Sequence, residues 1–119
     1  MNDETLQMTM LFDFYGELLT EKQREYFDLY HNEDLSLSEI AKKANISRHG
    51  VYDTINRAEN ILQKTEKALG IVARWLDTNK ELENAESIIK KISELAKNNN
   101  EITNLTDELH SIIKEIKEL

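Results

Sequence analysis

The sequence predicts an all-α protein: a helix-turn-helix N-terminal unit with a long fourth helix, then a C-terminal helical hairpin. Three observations predict it. Apolar residues recur at steps of three and four along almost all of the 119 residues, the period of helices packed on one side. Proline is absent and glycine occurs three times, whereas loop-rich β folds need both at their turns. Helix-start signals of the capping-box and N-cap serine type stand at three places between the apolar runs.

Leu6, Met10, Phe14 and Leu18 recur every four residues, with Leu11 and Tyr15 beside them. This predicts a first helix from about Thr5 to Leu19, facing inward along that row. Thr20-Glu21-Lys22-Gln23 is a capping box that opens a second helix, with Tyr26, Phe27, Leu29 and Tyr30 as core residues. Asn32-Glu33-Asp34 breaks it. Ser36-Leu37-Ser38-Glu39 is another capping box, opening a short helix with Leu37, Ile40 and Ala41 inward. Asn45 suits a left-handed turn, Ile46 plugs that turn, and Ser47 caps a fourth helix.

Val51, Ile55, Ala58, Leu62, Thr65, Leu69, Val72 and Leu76 alternate in steps of four and three. This heptad seam predicts a fourth helix running to about Asn79. Gly70 would then lie inside it, at about 1 kcal/mol against Ala, with room for a kink. A fifth helix follows, with Leu82, Ala85, Ile89, Ile92 and Ala96 inward and Ile88 and Leu95 beside them. After the loop Asn98-Asn99-Asn100, the last helix repeats the heptad step through Ile102, Leu105, Leu109, Ile112, Ile116 and Leu119. Trp75 is expected to pack under this hairpin. Residues 1–67 form the expected helix-turn-helix domain, and residues 68–119 an extension for packing or oligomerisation. A hairpin so small buries little area alone, so a homo-oligomer, with a dimer favoured, is expected.

Composition narrows the chemistry. No cysteine is present, which excludes a disulfide framework, a thiolate metal site and a cysteine nucleophile. The three glycines lie far apart, so there is no phosphate-cradling loop. Asp28/His31 and Asp107/His110 have the i, i+3 spacing of carboxylate–histidine metal motifs. They use aspartate in place of glutamate, and nothing aligns them; no metal, cofactor or catalytic site is expected. The acidic start Met1-Asn2-Asp3-Glu4 and the absence of a long apolar run predict a cytoplasmic protein without membrane insertion.

The net charge of −8 argues against indiscriminate binding to polyanions. It is unevenly spread. Residues 1–34 carry two basic and nine acidic side chains, and residues 68–119 seven and ten; residues 36–67 carry six basic and four acidic. The mildly positive stretch is the one that contains the helix-turn-helix. Winding its last helix at 100° per residue turns His49, Asp53, Asn56, Arg57 and Asn60 outward, opposite Val51, Ile55 and Ala58, with Tyr52 at the boundary. Arg48 lies within reach of a phosphate, Asn56 and Arg57 have the chemistry to read adenine and guanine, and Lys42 and Lys43 end the preceding helix. The candidate nucleic-acid-binding set is therefore Lys42, Lys43, Ser47, Arg48, His49, Tyr52, Asn56 and Arg57. Asp53 opposes phosphate, and its i, i+4 spacing predicts a pair with Arg57.

Two blocks carry a resemblance to a known family. Residues 8–24, MTMLFDFYGELLTEKQR, and Leu35-Ser36-Leu37-Ser38-Glu39-Ile40-Ala41 followed by Ile46-Ser47-Arg48 and Val51-Tyr52-Asp53 resemble the bacterial YlxM family over roughly residues 5–67. The same helix-turn-helix is similar to sigma-factor region 4. The chain departs from the family pattern at His49, Gly50 and Asn56, where glutamine, alanine and lysine are usual. The resemblance implies a non-catalytic regulatory protein linked with the signal recognition particle pathway, its partner being particle RNA or protein. The residues keep two other expectations open: a transcriptional regulator using residues 47–60 in a DNA major groove, and a helical protein-interaction module.

Overall fold

The computed structural model describes residues 3–118. Six α-helices follow one another: α1 (Asp3–Tyr15), α2 (Glu21–His31), α3 (Leu37–Ala44), α4 (Arg48–Leu69), α5 (Ile71–Leu95) and α6 (Asn100–Lys117), with a 3₁₀ turn at Gly16–Leu18. Among the described residues there is no strand. The chain divides into two compact units, one ending at Val72 and one beginning at Ala73. Met1, Asn2 and Leu119, the last member of the expected α6 seam, lie outside the described residues.

The local signals act as the sequence predicts. The Thr20 hydroxyl accepts from the Gln23 amide at 3.2 Å while Gln23 Oε1 accepts from the Thr20 amide at 3.0 Å. Ser36 and Glu39 exchange the same two bonds at 3.1 and 3.2 Å. Each box satisfies amides that a helix start leaves without an intrahelical acceptor. Asn45 adopts φ 57°, ψ 45°, and the Ile46 amide reaches back to the Ala41 carbonyl at 3.1 Å. This closes α3 in a left-handed cap and turns the chain into α4.

In the first unit, α4 is the common support, and its apolar side holds two buried clusters. Toward its start, Val51 and Ile55 pack with Ile40 and Ala41 of α3 and Tyr26 of α2. Toward its end, Ala58 and Leu62 pack with Phe27, Leu11, Tyr15, Leu19 and Val72. The expected inward row of α1 is corrected here. Leu6, Phe14 and Leu18 are exposed, and Leu11, Tyr15 and Leu19 are buried in their place. A strict four-residue step drifts about 40° per repeat around a helix of 3.6 residues per turn, so that row cannot stay on one face. Of the expected aromatic core, Tyr15, Tyr26 and Phe27 are buried, but Tyr30 is exposed. Ile46 is 39% exposed and only partly plugs its turn.

The fourth helix is long but stops at Leu69, ten residues before its expected end. Gly70 is its cap in the left-handed region (φ 64°), its amide bonded to the Glu66 carbonyl at 2.7 Å. The seam ends with it: Leu62 is buried, whereas Leu69 and Leu76 are exposed. This reverses a prediction. A mid-helix glycine would make Gly70→Ala stabilising by about 1 kcal/mol. A left-handed cap makes it destabilising by about 1 kcal/mol, although open space surrounds the added Cβ. Thermal melts of the two proteins separate the outcomes by sign.

In the second unit, α5 and α6 bury one line between them, centred on Ile89, Thr106 and Ile113, with Leu82, Ala85, Ala96 and Ile102 half-buried. Ile92 and the rest of the α6 heptad row, expected inward, stand open: Leu105, Leu109, Ile112 and Ile116 are 44–59% exposed. A single neighbouring helix covers only part of so wide an apolar arc. Trp75 likewise remains 38% exposed. On the polar side, Lys117 Nζ donates to Glu86 Oε1 at 2.9 Å, and this bond holds the ammonium above its usual pKa.

Candidate nucleic-acid interface

α3, its left-handed turn and α4 form the helix-turn-helix, and the turn fixes which side of α4 faces outward. Val51, Ile55 and Ala58 are buried, so the opposite side is exposed by helical geometry. Ser47 Oγ accepts from the Gly50 amide at 3.0 Å and caps α4. A Cβ on Gly50 would stand 3.1 Å from that oxygen, so glycine leaves room for the cap at a position where the first turn is crowded.

The candidate residues gather on and beside this surface. Arg48, His49, Tyr52, Asn56 and Arg57 are all exposed on α4, and Lys42 and Lys43 are exposed in the last turn of α3. The side chain of His49 is 81% exposed, and its ring stacks beside that of Tyr52 with centroids 6.3 Å apart. Asp53 does not make the expected pair with Arg57. Its Oδ2 lies 3.5 Å from His49 Nε2, one turn toward the helix start. The repelling carboxylate is thus drawn toward a side chain that can carry positive charge, leaving the Arg57 guanidinium outside that contact.

The remaining carboxylates of residues 36–67 are engaged elsewhere. Glu39 closes the α3 capping box. Glu59 Oε1 lies 2.7 Å from His31 Nε2, whose ring packs on Phe27 with centroids 4.3 Å apart. Glu66 Oε1 accepts from the Tyr15 hydroxyl at 2.5 Å and from the Val72 amide at 3.0 Å. All six cations of the same stretch are exposed, including Lys64 and Lys67, which continue the outward face of α4 beyond Arg57. Counting charges along the sequence could not separate these two populations. The only hint was spacing: Glu59 and Glu66 each follow a seam residue by four positions, Ile55 and Leu62, which places them at the margin of the packed side.

The two carboxylate–histidine spacings do not converge. Asp28 Oδ1 accepts from Asn32 Nδ2 at 2.6 Å while His31 turns to Glu59, and His110 Nδ1 lies 3.9 Å from Glu86. Among the described residues, no three His, Asp or Glu side chains gather as a metal site. No helix among them is long and apolar enough to cross a membrane.

A family model described as "Putative helix-turn-helix protein, YlxM / p13 like" matches residues 2–109. The chain belongs to this UPF0122 family. UPF0122 proteins of Thermoanaerobacter sp. (strain X514) and Thermoanaerobacter pseudethanolicus are each 44% identical to it over 119 residues, covering 100% of this chain and 98% of theirs. The UPF0122 protein of Caldanaerobacter subterraneus subsp. tengcongensis is 47% identical over 89 residues, 75% of this chain and 76% of the relative. The family match covers both blocks of the resemblance and extends into the hairpin, since it runs from α1 into the first half of α6.

Proposed function

We propose that this UPF0122 protein is a non-catalytic regulator that binds nucleic acid through α4, with His49, Tyr52, Asn56 and Arg57 against the groove and Arg48, Lys42 and Lys43 against phosphate. The observation that carries this is the sorting of charge in the helix-turn-helix. Six exposed cations share the segment with four carboxylates, three of which are held by a cap, a histidine and a tyrosine. Phosphate contacts supply affinity and position, while side chains in the groove supply specificity. The remaining acidic surface of the chain keeps nonspecific binding weak.

Selection from random DNA duplexes, followed by anisotropy titrations at several salt concentrations, tests it. The selected duplex is expected to bind with a steep salt dependence. Arg48→Ala with Arg57→Ala is expected to weaken binding roughly 10- to 100-fold and to flatten the salt slope by about one phosphate contact per arginine that touches the backbone. Both side chains are exposed, so the fold should be unaffected. Unchanged binding overturns the assignment and returns the helix-turn-helix to a protein-interaction role. The resemblance that links the family with the signal recognition particle adds that particle's RNA as a specific ligand to titrate beside the duplex. Tighter binding to the RNA, with the same arginine dependence, would place the protein in that pathway.

A further inference from the structure

Three of the four carboxylates in the helix-turn-helix segment have a task inside the fold. Glu39 closes a cap, and Glu59 and Glu66 bond to side chains of other helices. Asp53 has no such task. Among the described residues its polar partner is His49, on the same helix, at 3.5 Å. Asp53 is the sixth residue of α4, beyond the first turn in which a helix start favours a negative charge. Val51, Ile55, Ala58 and Leu62 are buried. Winding α4 at 100° per residue puts Asp53 within about 10° of the direction opposite them, with His49 and Arg57 about 40° to either side. Asp53 thus stands at the middle of the outward face, its side chain 50% exposed. A carboxylate there weakens attraction to phosphate, and it contributes to binding only where a donor meets it.

We infer that Asp53 reads cytosine in the major groove of duplex DNA, accepting from the 4-amino group, and that His49 is its positioning residue. This rests on the binding of α4 in a groove proposed above, and names the base that its central side chain selects. An ionised carboxylate accepts and cannot donate. In the major groove guanine presents the acceptors N7 and O6, and thymine the acceptor O4, all of which repel it. Adenine presents an amine beside the acceptor N7, whereas cytosine presents its amine alone. Cytosine is therefore the base that Asp53 meets without facing an acceptor. The His49 contact engages Oδ2 and leaves Oδ1 for the amine. Arg57, outside that contact, is four residues further on, about 6 Å along the helix or roughly two base-pair steps. A donor fork suited to guanine and an acceptor suited to cytosine thus share one short stretch of groove floor. Duplex RNA does not offer the same edge, because its major groove is too deep and narrow for side chains to read.

Parallel selections from random DNA duplexes with the full-length wild type and Asp53→Ala test this. The two selected sites are expected to differ at one position, cytosine for the wild type and no fixed base for the variant. Competition titrations then compare four duplexes that differ only at that base pair. The wild type is expected to prefer cytosine roughly tenfold or more, and Asp53→Ala to bind all four within about twofold. Asp53→Asn is expected to move the preference to adenine, since a carboxamide both donates to N7 and accepts from the amine. His49→Ala is expected to narrow the cytosine preference without moving it to another base, a change that a general loss of affinity would not produce. If the wild type and Asp53→Ala select the same site, or if Asp53→Ala only tightens binding to every duplex alike, the inference is overturned and binding through α4 still stands. A wild type that selects no duplex overturns both.

Discussion

Phe27→Ala is expected to destabilise the first unit by about 3–5 kcal/mol, the range for removing a large aromatic side chain from a core. Phe27 is fully buried, and its ring stacks on Phe12 with centroids 4.7 Å apart and on His31 at 4.3 Å. It sits among Leu11, Leu19, Ala58 and Leu62, so three helices lose contact at once. A unit of this size has a total stability of roughly 4–11 kcal/mol. The substitution therefore removes a large part of it, and lowers the melting temperature by about 12 °C or more. Tyr30→Ala, one turn further along the same helix, is the control. Tyr30 is exposed, and its loss is expected to cost about 1 kcal/mol or less. Thermal melts that showed equal losses for the two would place α2 with a different face inward.

That contrast marks what was legible in the sequence. Phe27 and Tyr30 stood together as core aromatics, because hydrophobic pattern alone does not say where the buried arc of an eleven-residue helix ends. Signals contained within four residues were legible: both capping boxes, the Asn45 turn and the Ser47 cap close on their own neighbours, whatever packs around them. The polar face of α4 was legible too, because three apolar residues at helical spacing fix its opposite side. The apolar steps that continue through Val72 place Gly70 in a helix interior. Val72 is indeed buried, but from the next helix, whose first turn folds back on the same core. Lys67 just before the glycine is the cation favoured in a last turn, and was the local sign of the cap. Which side chains of the hairpin stay open is not written in its pattern, since a heptad seam looks alike whether its partner lies in the same chain or outside it.

The first turn of α5 is held by the carboxylate of Glu66, at the margin of the packed side of α4. Glu66 Oε1 accepts from the Tyr15 hydroxyl and from the Val72 amide; Tyr15 and Val72 are both buried. Glu66→Ala leaves both donors without this acceptor and is expected to cost about 2–6 kcal/mol, from a penalty of roughly 1–3 kcal/mol for each unsatisfied buried group. Glu66→Gln keeps an oxygen in place and should cost about 1 kcal/mol or less, which separates loss of the acceptor from loss of the charge. The same bond gives stability a sign at high pH. Burial, the hydrogen bond to Glu66 and the negative charge of Glu66 raise the Tyr15 pKa above 10.0, against a smaller opposing effect of the Ile71 and Val72 amides. A pKa raised on folding means that the neutral hydroxyl is favoured in the folded state. Its contribution is complete below pH 10 and falls away as the pH rises through the higher folded value. Tyr15→Phe should therefore cost about 1 kcal/mol at neutral pH and flatten the loss of stability above pH 10. Urea titrations of the wild type and Tyr15→Phe at pH 7 and in steps above pH 9 check both halves. Parallel alkaline slopes would show that the Tyr15 hydroxyl is not what responds.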